Sequence, residues 1–325
     1  MANVEVLYLS RADVEATRLT MEEIISAVEE GFRLKGEGQV EMPPKPGIHP
    51  RPEAFIHAMP AYVRGLEAAG CKWVSGYPRN QEKGLPYITG LLVLNDPDTG
   101  APVAVMDCVW ITAMRTGAAT AVAAKRLARV DSATVGVIGC GVQGRTNISA
   151  LKAAFPGLRT VRAFDTSRAV LEHYVAEMRR ALDVDVEAAA SPEDAVRGMD
   201  IVVTATPILK HPRQVIEKEW FDAGTFGATV DFDSYWKPEA QRAADKLYTD
   251  DTAQFDYYRT TGYFQGTPPV YADLGELATG RKPGRIRAEE RIIAMNLGLA
   301  LEDVVVGWEV YRRAVTLGIG QKLPL

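Results

Sequence analysis

The sequence predicts an α/β protein in two parts, a doubly wound parallel sheet and an α+β part built on an antiparallel sheet, and three observations carry that prediction. From Val135 onward short apolar runs alternate with helical stretches, the pattern of a parallel sheet crossed by helices. Ahead of them, four strand-like runs follow one another with a hairpin turn between the last two, which is the pattern of antiparallel pairing. Where the two patterns meet, the apolar strand Thr134-Val135-Gly136-Val137-Ile138 runs straight into Gly139-Cys140-Gly141-Val142-Gln143-Gly144, a G-x-G-x-x-G turn that opens a helix.

In chain order, Val6 to Leu9 reads as a short strand. Thr20-Met21-Glu22-Glu23 has the form of a capping box, and Ile24, Ile25, Val28 and Phe32 recur behind it at helical spacing. Strands are expected at 55–63, 70–76, 87–94 and 103–110, with Asn95-Asp96-Pro97-Asp98-Thr99-Gly100 as the turn between the last two. The alanine-rich stretch 113–127 reads as a helix. Further strands follow at 161–164, 184–188, 201–205, 225–230 and 246–248. Residues 288–315 read as one long amphipathic helix that begins after the parallel sheet is complete and returns to cover the N-terminal sheet.

A chain of 325 residues can bury two cores of ordinary size. A net charge of -5 leaves no basic footprint, so nucleic acid is set aside as a partner. No apolar run reaches the length of a membrane span, and Met1-Ala2-Asn3-Val4-Glu5 lacks the basic and apolar regions of a signal peptide, so no membrane partner is expected either. Cys71, Cys108 and Cys140 form neither an even set nor a C-x-x-C pair, which reads as buried free thiols in a reducing cytoplasm; no metal is expected.

The glycine turn in its strand-to-helix setting is the dinucleotide-binding fingerprint of a Rossmann-type fold. Gly139 allows the tight turn, Gly141 lets backbone approach a pyrophosphate, and Gly144 lets the helix that starts near Val142 and Gln143 pack on its strand. The pyrophosphate then meets the positive end of that helix. Asp165 ends the next strand at the distance where a carboxylate receives the adenosine ribose hydroxyls, which points to NAD. Arg168, with Ser167, could instead hold a 2'-phosphate and keeps NADP open as the alternative. Cofactor contacts are therefore expected from Gly139, Gly141, Val142, Gln143, Gly144, Asp165, Thr166 and Arg168, and on the nicotinamide side from Thr204, Ala205 and Thr206.

Three further segments carry a resemblance to a known family. Gly70-Cys71-Lys72-Trp73-Val74 with Pro78 and Asn80, Thr112-Ala113-Met114-Arg115-Thr116-Gly117-Ala118-Ala119, and Asn296-Leu297-Gly298-Leu299-Ala300-Leu301-Glu302-Asp303 resemble the ornithine cyclodeaminase and mu-crystallin family, in order and over nearly the whole chain. Met42-Pro43-Pro44-Lys45 and Ala58-Met59-Pro60-Ala61 look most like its archaeal-type alanine dehydrogenase branch. The resemblance implies a substrate-binding and dimerisation domain over residues 1–118, a nucleotide domain over 119–295 and a C-terminal helix over 296–325 returning to the first, in a homodimer. It also implies that Thr116, Asp231 and Leu297 join the cofactor contacts.

Oxidising an amino acid with NAD removes a hydride from the α carbon and a proton from nitrogen, so the site needs a carboxylate clamp and a proton acceptor. A lysine among Cys71, Trp73 and Val74 is partly desolvated, which lowers its pKa toward working pH; the resemblance makes Lys72 the catalytic lysine, against the alternative of an edge-strand lysine with its head in water. Arg115 is expected at a helix N-terminus, gripping the substrate carboxylate or lying against the cofactor, the alternative being a surface pairing with Asp107. The resemblance makes Asp233 the acid that orients or activates the amino group, with Asp231 as its rival, and implies that Lys45 and His57 touch substrate. Histidine at position 57 replaces the acidic residue of cyclodeaminases and the arginine of the dehydrogenase branch, and an imidazole is a poor partner for the second ammonium of ornithine. Tyr87, with Trp73, Tyr77, Tyr235 and Trp236, hints at an aromatic pocket wall. The expected activity is an NAD-dependent interconversion of an amino acid with its imine or 2-oxo acid; the alternatives are a cyclodeaminase that uses bound NAD and a cofactor-binding protein without turnover.

Overall fold

The computed structural model describes residues 4–325, so Met1, Ala2 and Asn3 of the N-terminal segment lie outside the described residues. The chain forms two compact units, one ending at Arg115 and resuming at Leu299–Leu325, the other spanning Thr116–Gly298. The first opens with β1 (Glu5–Leu9), α1 (Arg11–Ala16) and α2 (Met21–Gly36). Thr20 caps α2 with Glu23 as its reciprocal partner, the capping box read from the sequence, while α1 was not foreseen although Ser10 and Asp13 build the same device. Two short strands follow, β2 (Val40–Glu41) and β3 (Gly47–Ile48), then β4 (Phe55–Val63), β5 (Ala68–Gly76), β6 (Ile88–Asn95) and β7 (Pro102–Asp107). The last strand stops at Asp107 rather than 110, because Val109 and Trp110 already belong to α3 (Val109–Leu127), whose backbone crosses from one unit into the other.

The second unit is a parallel sheet of eight strands: β8 (Thr134–Ile138), β9 (Thr160–Phe164), β10 (Asp185–Ala188), β11 (Ile201–Thr204), β12 (Phe226–Thr229), β13 (Lys246–Thr249), β14 (Ala272–Asp273) and β15 (Ile292–Met295). They lie in the order β10-β9-β8-β11-β12-β15-β13-β14. Helices α4 (Val142–Ala154), α5 (Arg168–Ala181), α6 (Pro192–Val196), α7 (Pro238–Arg242), α8 (Thr252–Thr260) and α9 (Leu274–Ala278) alternate with them. Strand order reverses between β8 and β11, and such a switch point opens a crevice at the carboxyl ends of the strands, where the glycine turn sits.

The tail departs from the expected single helix. Ile292–Met295 is an inner strand paired to β12 and β13, so the parallel sheet is not complete until it has been added. All four of its residues are buried on both faces, and a short continuous apolar run of that kind has no period that tells strand from helix. Gly298, at φ +78°, then turns the chain, and the helix proper is α10 (Ala300–Leu317), followed by β16 (Gln321–Pro324).

In the first unit the sheet runs β16-β1-β7-β6-β5-β4-β2, with β3 also on β4. It is mixed rather than wholly antiparallel: β1 pairs β7 in parallel. α10 lies across β4, β5 and β6 and against α2. A Cβ on Gly307 would fall 2.1 Å from Leu92 Cδ2, so the helix sits directly on the sheet there and carries its first turn, with Glu302 and Asp303, onto the middle of β5.

Candidate functional site

In the first unit the site is built around Lys72. It stands mid-strand on β5, between β4 and β6, opposite Met59 and Leu92, and is 1% exposed, which excludes the edge-strand alternative. Its Nζ lies 2.7 Å from Asp303 Oδ2 and donates to Thr112 Oγ1 at 3.3 Å. Burial pulls the Lys72 ammonium below its usual range, the Asp303 carboxylate opposing and Arg115 assisting.

Arg115 is also buried, but not at a helix N-terminus: α3 begins at Val109, so Arg115 lies in the second turn, where backbone amides are bonded within the helix. Its partner is not Asp107. Nε donates to Asp303 Oδ1 at 3.1 Å and Nη1 to Glu302 Oε2 at 2.6 Å, joining residues nearly two hundred positions apart. Burial pushes the Glu302 carboxyl up against the pull of Arg115, and its second oxygen, Oε1, has no hydrogen-bond partner among the described residues. The acidic pair was visible in the sequence as two charges inside an apolar run, yet no pattern there says what they touch.

His57 lies one row along the same face, opposite Val74 on β5 and Gly47 on β3. Phe55 stacks on it at 4.4 Å, and a Cβ on Gly47 would fall 2.2 Å from its Cδ2, so the imidazole is seated on bare backbone. Burial and the neighbouring Lys45, His49 and Lys72 push its pKa down to about 3, which keeps the ring neutral. Lys45 is itself buried.

In the second unit two glycines of the turn meet a steric constraint and the third leaves open space. Gly139 holds φ +96° and its absent Cβ would lie 2.4 Å from the Ala205 carbonyl oxygen; that of Gly144 would lie 2.3 Å from the Gly139 carbonyl oxygen. Gly141 caps α4 with nothing within 4 Å of where a Cβ would be, so open space lies over the helix N-terminus at the glycine that a pyrophosphate would approach. The residues present thus fit a dinucleotide. Asp165 braces the turn from the end of β9, accepting from Cys140 N at 2.9 Å and Ser167 N at 2.8 Å. Val142, Thr166 and Arg168 are exposed beside it, and Arg168 pairs with Glu172 at 2.7 Å one turn along α5. Gln143 receives Thr146 Oγ1 and Asn147 Nδ2.

Asp231 and Asp233 follow β12 and differ sharply. Asp231 is wholly buried; it accepts from Thr204 Oγ1 at 2.7 Å, Thr206 Oγ1 at 2.6 Å and Thr206 N at 3.1 Å, so it ties down the loop of Thr204, Ala205 and Thr206, and burial pushes its pKa up to about 6. Asp233 is buried and pushed up by desolvation, with the Phe264 amide donating to it. Between them Phe232 holds φ +62°, a conformation that costs a bulky residue about 1–3 kcal/mol, pinned by Tyr258, Tyr263 and Phe264 at 5.1–5.6 Å. The strained residue turns the chain between the two acids, a feature no composition cue announces.

Trp236 is fully buried in the hydrophobic core of the second unit, edge-on to Phe221 at 5.0 Å, and is no pocket wall. Leu297 belongs to that core as well. Thr116 is buried within α3. The three cysteines are free thiols; Cys71 is only half-buried, while burial raises Cys108 to about 11 and Cys140 to about 12. Among the described residues no cluster could hold a metal ion and no helix is long and apolar enough to cross a membrane.

Comparison with known proteins agrees with this architecture. A nodulation efficiency protein of Rhizobium meliloti is 37% identical over 97% of each chain, and an alanine dehydrogenase of Archaeoglobus fulgidus is 35% identical over 98% of each. The structure of Thermococcus litoralis Δ1-pyrroline-2-carboxylate reductase, in complex with NADH and L-proline, superposes with a TM-score of 0.89 at 32% identity, covering 98% of this chain and 100% of that one. The family model of the ornithine cyclodeaminase/mu-crystallin family matches residues 4–317, and the chain belongs to that family.

Proposed function

We propose that this protein is an NAD-dependent oxidoreductase that interconverts an amino acid with its imine or 2-oxo acid. The observation that carries the reading is Lys72, a lysine buried mid-sheet, with its ammonium pulled below the usual range and held by a carboxylate at 2.7 Å. Gly139, Gly141 and Gly144 would hold the pyrophosphate and Asp165 the adenosine ribose. The Asp165 carboxylate repels a 2'-phosphate, and Arg168 is engaged with Glu172, which favours NAD over NADP. Bound NAD supplies the hydride acceptor, and its reduced form the donor.

In the oxidative direction a hydride leaves the α carbon, the amino nitrogen gives up one proton, and a C=N bond forms. Lys72, as the neutral amine, takes that proton; in reverse it returns it. Arg115 orients the substrate carboxylate, Lys45 and His57 line the substrate side, and Asp233 orients the amino group or the water that hydrolyses the imine. The neutral His57 and its cationic neighbours disfavour a second ammonium on the substrate, which argues against ornithine. The outer face of the first unit's sheet exposes Trp73 at 52% and Leu91 at 43%, an apolar surface suited to a second copy, so we assign a homodimer; its free thiols suit the cytoplasm.

The test is a panel of amino acids with NAD, and of 2-oxo acids or cyclic imines with NADH and ammonia where needed, read at the nicotinamide absorbance band. Net oxidation or reduction is expected. Ammonia release from ornithine without a net change in that band would replace this reading by the cyclodeaminase one. Light scattering is expected to give the mass of two chains.

A further inference from the structure

We infer that Asp303 is the positioning residue of the lysine site, one carboxylate holding the Lys72 ammonium with one oxygen and the Arg115 guanidinium with the other, so that it fixes both the spacing of the two cations and the charge on Lys72. The geometry is direct: Lys72 Nζ to Oδ2 is 2.7 Å and Arg115 Nε to Oδ1 is 3.1 Å, with all three side chains buried. Two cations forced together under an apolar helix would repel each other at short range. A carboxylate between them turns that repulsion into attraction along both edges.

Asp303 comes from the first turn of α10, where the helix dipole favours a negative charge, and α10 is seated on the sheet at Gly307. The position of the carboxylate is thereby set by the packing of a helix against β4, β5 and β6 rather than by a mobile loop. Glu302 takes the other end of the Arg115 fork at 2.6 Å, so that rotating the guanidinium away from Asp303 also breaks a second bond. The titratable and charged groups acting on Lys72 are Asp303 and Glu302 from α10, Arg115 from α3, Cys108 at the end of β7 and His57 from β4. Of these Asp303 alone is an anion in contact with the ammonium, so its removal leaves desolvation and Arg115 opposed only by the more distant Cys108 and Glu302.

The inference rests on the assignment of Lys72 as the proton acceptor, and the test separates the two. Lysine labelled with 13C at Cε is followed by NMR against pH in the full-length protein without substrate, Lys72 being assigned by the signal lost in Lys72→Met. In Asp303→Asn the midpoint of Lys72 is expected to fall by about one pH unit or more. Asp303→Glu, which keeps the buried charge and serves where the asparagine variant does not fold, is expected to leave the midpoint near its original value while lowering kcat, because the longer arm displaces both cations. In turnover, the acidic limb of kcat/KM for amino-acid oxidation is expected to move down with the NMR midpoint in Asp303→Asn, with NADH affinity unchanged.

An unmoved midpoint in Asp303→Asn, or an unchanged kcat in Asp303→Glu, overturns the positioning role. A moved midpoint in a protein that reduces or oxidises nothing in the substrate panel upholds the role of Asp303 and overturns the proposed function instead.

Discussion

Replacing Lys72 by methionine removes the amine while keeping an unbranched stem of similar volume, so the cross-strand packing against Met59 and Leu92 survives. What is lost is a proton acceptor and one partner of a buried carboxylate. A positioned general base contributes about 10²–10⁴ in rate. At about 1.4 kcal/mol per tenfold, that raises the barrier by about 3–5 kcal/mol. The stability cost is smaller than for an isolated charge, because Asp303 keeps Arg115 at 3.1 Å; about 1–3 kcal/mol is expected for the group left short of one partner. The assay is steady-state turnover on the best substrate of the panel, with NADH affinity from nicotinamide fluorescence and stability from urea unfolding. Turnover is expected to fall by two to four orders of magnitude while NADH affinity stays within about twofold, since the glycine turn and Asp165 belong to the other unit. Turnover within about threefold of wild type refutes the role of Lys72 as the acceptor, and so does a parallel loss of NADH affinity.

Asp165→Ala removes the acceptor for Cys140 N and Ser167 N together with the ribose partner, and NAD affinity is expected to weaken by about tenfold, roughly 1.4 kcal/mol, by calorimetric titration; unchanged affinity counts against the ribose contact. Asp231, raised from 3.8 to about 6 by burial, binds its proton more tightly in the folded than in the unfolded chain, so its contribution to stability is full below about pH 4 and declines as pH rises to about 6. Asp231→Asn is expected to flatten that part of the stability profile by about 2–3 kcal/mol in urea unfolding, and an identical slope in both proteins would refute the assignment.

The nucleotide half was legible because its determinants are local. Gly139 and Gly144 each answer to a constraint set within a few residues or one strand away, and Gly141 stands between them at the start of the helix, so their spacing is enough to read them. The capping box at Thr20 and the strand-to-helix turn at Ile138 are local in the same sense. By contrast, 292–295 looked helical because an inner strand of a parallel sheet is apolar on both faces and shows no period of two. Arg115 reads as lying at a helix start because the first turn of α3, Val109-Trp110-Ile111-Thr112, is apolar and β-branched and looks like the end of the preceding strand. Trp236 looked like a pocket wall because an aromatic side chain in a sequence does not reveal whether it faces a ligand or a core.

The amino-acid order by itself determined the glycine turn and the alternation that makes a parallel sheet, and it singled out the residues proposed to carry chemistry, because backbone sterics and hydrophobic periodicity act over short stretches of chain. Which of those residues meet was decided only in three dimensions. Asp303 and Glu302 reach Lys72 and Arg115 because α10 returns to lie on β5, and no short-range rule links positions 72 and 115 to 302 and 303. The charge on a buried lysine depends on the carboxylate that faces it, and that carboxylate arrives from the opposite end of the chain.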